Sequence, residues 1–153
     1  MQQIVDNTSG DKYSQSVNNL KQLLRKKKIK YRTIFKLINN GGLIIDTDVK
    51  ILADIVIYER ELILNSFESE LNNLSLLNKR LIQFNREPQL SIKGAKKILS
   101  TICINIYDLL ANKIDKETDY LSLRADIRKN PDRRFPLKLA KKYINIACFL
   151  KRL

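Results

Sequence analysis

Apolar residues recur at intervals of three and four along every long segment of this chain. That spacing puts them on one face of an α-helix. Only four glycines and three prolines occur among the 153 residues. A sheet of many short strands needs such residues in its closely spaced turns, so that architecture is disfavoured. The sequence therefore predicts an all-α fold of about six helices in an irregular bundle.

The chain is long enough for one domain with a real core, since proteins of this length bury roughly 70% of their unfolded surface. Residues 1–12 are polar, and we expect them to form a flexible N-terminal arm. Residues 13–153 then form a single helical domain. There is no secretory signal and no apolar run long enough for a membrane span. We therefore expect an intracellular protein, in the cytoplasm or nucleus, or a protein carried within a virion.

The central segment, residues 47–86, contains no proline or glycine. One helix over this segment would be about 60 Å long, whereas a compact domain of this size is only about 40 Å across. Either the helix breaks near Asn72 and Asn73, or it projects and pairs with another chain. An apolar seam with coiled-coil spacing runs along it. The seam predicts homo-oligomers, or burial against another helix, through Val56, Ile63, Phe67, Leu74, Leu77 and Leu81.

The segment after Pro88 has the clearest helical pattern. Ser91 is suited to cap a helix N-terminus, because its hydroxyl can accept a backbone N–H. The apolar face that follows predicts one helix from Ile92 to Leu110. Shorter helices are expected near residues 120–128 and after Pro136, where a proline fits the first helical turn.

The net charge of +13 is concentrated in two segments. The N-terminal basic block, residues 21–36, has eight cations and no acid; the C-terminal basic block, residues 121–153, has ten cations and two acids. The helical region between them is near-neutral or acidic. The predicted phosphate contacts in the first block are Arg25, Lys26, Lys27, Lys28, Lys30 and Arg32. Those in the second are Arg128, Lys129, Arg133, Arg134, Lys138, Lys141 and Lys142.

Two such blocks are typical of a protein that binds DNA or RNA, because lysine and arginine displace the counterions condensed on phosphates. Tyr31 and Phe35 lie beside the first block and are predicted to stack on unpaired bases. Nothing in the sequence indicates base-specific readout. The same charge also fits a solvated surface in a lysine-rich chain, or a surface that meets an acidic protein or a membrane.

The chain has no histidine, which removes the commonest general base and metal ligand. It also lacks the glycine-rich phosphate loops and the nucleophile elbow of known enzyme classes. Cys103 and Cys148 lie in apolar helical patterns and are predicted to be buried free thiols. We therefore expect no catalysis, no metal and no cofactor.

A helix-turn-helix around Gly41 and Gly42 is disfavoured. Asp46, Asp48 and Asp54 would put negative charge on its reading helix, which a duplex would repel. The sequence instead favours a non-catalytic nucleic-acid-binding or packaging protein that uses both basic blocks. The alternative is a helical adaptor subunit that binds an acidic protein in a larger assembly.

Overall fold

The computed structural model describes the backbone of residues 3–147 and the side chains of residues 11–130 and 132–147. Within that part the chain forms nine α-helices and no strand, which confirms the all-α class. Two short 3-10 turns, Ile114–Lys116 and Pro131–Arg133, connect helices. The helices are α1 (Gln3–Lys27), α2 (Tyr31–Asn40), α3 (Thr47–Glu70), α4 (Leu74–Gln83), α5 (Ile92–Leu99), α6 (Ile106–Leu110), α7 (Tyr120–Lys129), α8 (Leu137–Lys142) and α9 (Ile144–Ala147).

The N-terminal segment differs from the predicted arm over residues 1–12, since α1 already begins at Gln3. Polar composition does not prevent this. Once a turn of helix exists, each added residue gains a backbone hydrogen bond at little further cost, so a patterned helix can extend into a polar segment.

The central segment folds as two helices. α3 ends at Glu70 and α4 begins at Leu74. The side chain of Asn73 accepts a hydrogen bond from the backbone N–H of Leu76 at 3.1 Å, so it caps α4. Arg80 on α4 reaches back to the Glu70 carboxylate, with nitrogen-to-oxygen distances of 2.6 and 3.1 Å. This ion pair joins the two helices across the turn.

The single helix predicted after Ser91 is wrong, because α5 and α6 are separate. The hydroxyls of Ser100 and Thr101 donate to the carbonyls of Lys97 and Ile98, at 2.7 and 2.6 Å. Such local bonds compete with the helical ladder for the same acceptors. Asn105 then caps α6 by accepting the N–H of Tyr107. The apolar periodicity survives the break because both helices face one core.

The core is centred on the long contact between α1 and α3, and α6 packs against both. Five of the six predicted seam residues, all except Leu74, are buried in this core with exposed fractions of 4% or less. Leu74 is partly buried against the same cluster. The seam is therefore covered by helices of its own chain. A second copy could not contact these side chains without opening the core, which corrects their assignment to self-association.

Candidate nucleic-acid interface

The N-terminal basic block is built around the end of α1. Lys28 has the left-handed backbone conformation, with φ of 57°. Its N–H donates to the carbonyl of Arg25 at 3.2 Å, and the N–H of Ile29 donates to the carbonyl of Leu24 at 2.9 Å. This paired arrangement is a common way to end a helix. Ile29 and Leu24 both contact the core, so the turn is anchored on its inner side.

The six predicted contacts of this block are all exposed. Arg25, Lys26 and Lys27 occupy the last turn of α1, where positive charge interacts favourably with the negative end of the helix dipole. Among the described residues only Lys27 of these six has an ion pair, to Asp46 at 2.9 Å and to Asp48 at 3.4 Å. The other five cations face solvent, with no carboxylate of the described side chains at ion-pair distance.

The pair between Lys27 and Asp46 joins the end of α1 to the start of α3. The hydrogen bond to Asp46 raises the pKa of Lys27. The same bond, followed by the hydrogen bond from the backbone N–H of Val49, lowers the pKa of Asp46. Asp46 is also the N-cap of α3. One carboxylate thus serves both as a cap and as the partner of a lysine in the basic block.

The C-terminal basic block contains one cation with a different environment. The guanidinium of Arg133 donates to Asp126 at 2.8 Å and to Asp108 at 2.5 Å. Burial by itself would lower the pKa of Arg133, but the bonds to Asp126 and Asp108 outweigh burial and raise it. Asp108 is 9% exposed. Two of the three guanidinium nitrogens of Arg133, a predicted phosphate contact, are therefore bonded to carboxylates. One carboxylate is on α6 and the other is on α7, so Arg133 joins the two helices.

The six other predicted contacts of the C-terminal block are exposed, and in the described part none of them forms an ion pair. They are Arg128, Lys129, Arg134, Lys138, Lys141 and Lys142. Lys142 also lies 5.4 Å from the ring centre of Tyr143, a cation–π contact. Two further cations of this block, Lys151 and Arg152, lie outside the described residues, as does Cys148. Cys103 is a half-buried free thiol.

The segments that carry the two blocks are in contact. The hydroxyl of Tyr31 on α2 donates to the backbone carbonyl of Lys129 at the end of α7, at 3.4 Å. Lys21 on α1 pairs with Asp132 at 3.1 Å, and its ammonium lies 5.0 Å from the ring centre of Tyr31. The ammonium of Lys138 lies 3.6 Å from the position that a β-carbon on Gly41 would take. Segments about a hundred residues apart in sequence thus adjoin.

The two predicted stacking residues have different surroundings. Phe35 is 2% exposed and packs in the core, so it cannot stack on a base, and that prediction is wrong. It lies on the apolar face of α2 with Ile34 and Ile38, and the spacing of these three residues was the signal for its burial. Tyr31 is half-buried, with its ring edge against Phe35 at 6.1 Å between centres.

Two cations belong to this region although they were not among the predicted contacts. Lys36 is exposed on α2. Arg124 is half-buried on α7, and its Nε atom is buried without a hydrogen-bond partner among the described residues. Arg124 precedes Arg128 by one helical turn, so the two lie on the same face of α7. That spacing was a signal in the sequence that could have identified Arg124.

Comparisons of the chain with models of known protein families, with curated proteins and with solved structures found no match. Across residues 3–147, no helix combines the length and apolar character that crossing a membrane requires. The described residues also hold no cluster of three or more His, Cys, Asp or Glu side chains that could bind a metal ion.

Proposed function

We propose that this protein is a non-catalytic nucleic-acid-binding or packaging protein, and that its adjoining basic blocks contact the phosphates. The observation that carries the proposal is the contact between the two segments, from Tyr31 to Lys129 and from Lys21 to Asp132. Repulsion opposes the approach of two positive segments, and a bound polyanion relieves that repulsion.

The exposed cations support the same proposal. Eleven of the thirteen predicted contacts are exposed and have no ion pair within the described part, with Lys27 and Arg133 as the exceptions. Exposed lysines neutralise phosphates without the directional fit that base recognition needs. We therefore expect binding to DNA and RNA with little sequence preference. Because Phe35 is buried, it cannot stack on a base. Phosphate contacts therefore account for more of the expected affinity.

A helical adaptor is the second candidate function, and one observation favours it. Ile51, Ile55, Tyr58 and Leu62 recur at heptad spacing on α3 and are 43–61% exposed. They occupy a different face from the buried seam and form an apolar stripe with no cover in the described part of the chain. Exposed stripes of this kind commonly mark a contact with another protein. A helix of a partner chain would fit this face.

Charge reversal tests the proposed function. The N-terminal variant carries Arg25→Glu, Lys26→Glu and Lys28→Glu; the C-terminal variant carries Arg134→Glu, Lys141→Glu and Lys142→Glu. Lys27 and Arg133 are left unchanged because they hold structural carboxylates. A control variant with Lys79→Glu, Lys93→Glu and Lys116→Glu makes the same charge change at exposed sites outside both blocks.

Binding to a short duplex, a single strand and an RNA hairpin is measured across a salt series. In both block variants, affinity for the duplex should fall. The slope of log affinity against log salt should become shallower by about 0.9 for each lost phosphate contact. The control variant should change affinity much less. Equal losses of affinity in all three variants would mean that binding depends only on the total charge of the protein and not on the two blocks. Unchanged affinity in both block variants would reject the proposal and favour the adaptor.

A further inference from the structure

A cavity of about 460 Å³ lies between α5, α6, α7 and α8, and Arg128, Arg133 and Arg134 of the C-terminal basic block form part of its lining. Its volume is within the range of small-molecule sites, roughly 300–1,000 Å³. It is also about three times the ~150 Å³ apolar cavity that holds one benzene, so it has room for roughly eighteen carbon-sized atoms. The space is therefore suited to a ligand with a chain or ring body rather than to a simple ion.

The cavity wall is mostly aliphatic. Its apolar side chains include Leu99, Ile102, Ile106, Leu109, Leu123 and Ile127. Water is poorly held by the aliphatic part of the wall, because an ordered water needs two to four polar partners. The apolar part of a ligand would make the van der Waals contacts that the lining atoms of an empty cavity lack.

The polar part of the lining is almost entirely cationic. Four arginines line the cavity, Arg124, Arg128, Arg133 and Arg134, and no described lining residue is acidic. Arg133 is bonded to carboxylates, but the buried Nε of Arg124 has no partner among the described residues. That nitrogen is enclosed by the protein, so an anionic head group would instead pair with the terminal guanidinium nitrogens of Arg124 and of the exposed Arg128.

The remaining polar wall group is already satisfied. The side-chain amide of Asn105 donates to the carbonyl of Arg133 at 2.9 Å, and its oxygen accepts the N–H of Tyr107 at 2.9 Å. A nucleobase would need free donors and acceptors on the wall to match its edge. Since the wall offers only arginines, a base inserted from a bound nucleic acid is the less favoured occupant.

We propose that this cavity binds an amphiphilic anion, a single alkyl or acyl chain that ends in a carboxylate or phosphate. The chain would occupy the aliphatic interior, and the head group would pair with Arg124 and Arg128, one turn apart on α7. Such a ligand could come from free fatty acids or from the lysophospholipids of a membrane surface. This inference does not depend on the proposed nucleic-acid function.

The test uses the full chain and calorimetric titration with laurate, dodecyl phosphate and dodecanol, below the concentrations at which they form micelles. Laurate and dodecyl phosphate should bind with one ligand per protein and a negative heat-capacity change, the mark of apolar burial. Dodecanol should bind at least about tenfold more weakly, since it lacks the charge-assisted hydrogen bond. Equal binding of dodecanol, or no saturable binding of either anion, would overturn the proposal.

Two variants locate the site. Arg124→Gln should weaken laurate binding about tenfold, the loss expected for one charge-assisted hydrogen bond. Arg25→Gln makes the same charge change outside the cavity and should leave laurate binding unchanged. Leu137 lines the cavity but is 72% exposed, so Leu137→Glu adds a negative charge without opening the core. This charge should repel the laurate carboxylate and weaken laurate binding. Leu90→Glu, at a fully exposed leucine, is its control.

Three outcomes separate the remaining alternatives. Equal weakening by both arginine variants would indicate surface attraction only and would overturn the site. Tight binding of adenosine monophosphate that displaces laurate would reassign the cavity to a nucleobase. Vesicles that contain lysophosphatidic acid distinguish the two lipid sources, because a membrane source predicts that the protein sediments with them and that Leu137→Glu reduces this.

Discussion

In the N-terminal basic block, five of the six predicted phosphate contacts face solvent with no carboxylate at ion-pair distance in the described part of the chain. In the C-terminal block, Arg133 bonds Asp126 and Asp108, and Asp132 pairs with Lys21 of the other block. The two blocks have the same net positive charge in sequence, eight cations without an acid against ten cations with two acids, although the C-terminal block spreads it over about twice as many residues. They differ in the burial of the acids that hold a predicted contact: Lys27 pairs with Asp46 and Asp48, which are 34% and 70% exposed, whereas Arg133 bonds the nearly buried Asp108.

The difference follows from where the acids are. Residues 21–36 contain none, so the carboxylates that pair with their lysines come from elsewhere: Asp132 pairs with Lys21, and the start of α3 supplies the partners of Lys27. The C-terminal block contains Asp126 and Asp132, and α6 adds the nearly buried Asp108. Positive charge that is free in solvent can exchange counterions with a polyanion. Positive charge held by buried acids stabilises the fold instead, so counting cations along a sequence overestimates the binding surface.

The largest effect that this comparison predicts is on stability. Arg133→Met should lower the free energy of unfolding by about 3 kcal/mol, because it leaves the nearly buried Asp108 without its partner. Urea denaturation followed by circular dichroism measures this. Arg134→Met, at the exposed neighbouring residue, is the control and should change the unfolding free energy by less than about 0.5 kcal/mol. If both substitutions lowered the unfolding free energy equally, then ion-paired and unpaired cations would not differ in their contribution to stability.

A smaller effect separates neighbouring lysines within the N-terminal block. Lys26→Gln removes a free cation, so the salt slope of DNA binding should become shallower by about 0.9 if that lysine contacts a phosphate. Lys27→Gln removes a lysine that already pairs with Asp46 and Asp48, so its slope should change less. Salt titrations of DNA binding by the two single variants measure the two slopes. A larger change of slope for Lys27→Gln than for Lys26→Gln would contradict the prediction.

The smallest effect concerns the pair between Lys27 and Asp46. The lowered pKa of Asp46 means that its stabilising contribution is present above the unfolded value of about 3.9 and is lost as pH falls through the folded value. The raised pKa of Lys27 means that its contribution is present below about 10.4 and is lost as pH rises through its folded value. Between these limits the pair contributes modestly, because both groups are near solvent.

Asp46→Asn keeps the α3 cap, since asparagine caps as well as aspartate, but removes the charge. Unfolding free energies measured between pH 3 and pH 7 should then show a slightly weaker dependence on pH than the parent protein. Lys27 would then keep only its pair with Asp48 at 3.4 Å, so the salt slope of DNA binding should also become slightly steeper. An unchanged pH profile together with an unchanged slope would show that the pair has no effect in solution.

Several local features of the fold could be predicted from the sequence because they depend on adjacent residues. Asp46 and Ser91 cap α3 and α5, and Gly41 ends α2 in the left-handed conformation. The number of helices could not be predicted. The break between α5 and α6 depends on the Ser100 and Thr101 hydroxyls, whose bonds to the backbone leave the apolar periodicity unchanged.

The surface was predicted less well than the fold. Exposure of the lysines followed from charge alone, whereas the burial of Phe35 and the carboxylate partners of Arg133 depend on tertiary packing. The seam on α3 and α4 was recognised as apolar, but periodicity could not show that the same chain covers it. Nor could it show that the face with Ile55 and Leu62 remains exposed. Pattern identifies which faces are apolar, and topology decides which of them are covered.

The bond from Tyr31 to Lys129 keeps the two most positive segments of the chain side by side even without a polyanion. Their mutual repulsion extends over about 10 Å at 0.1 M salt and shortens as the solution becomes more concentrated. Added salt therefore raises the unfolding free energy of the free protein through this term, whereas it lowers the affinity for a polyanion. Ionic strength thus acts with opposite sign on the stability of the free chain and on the affinity of the proposed complex: dilute buffer lowers the first and raises the second.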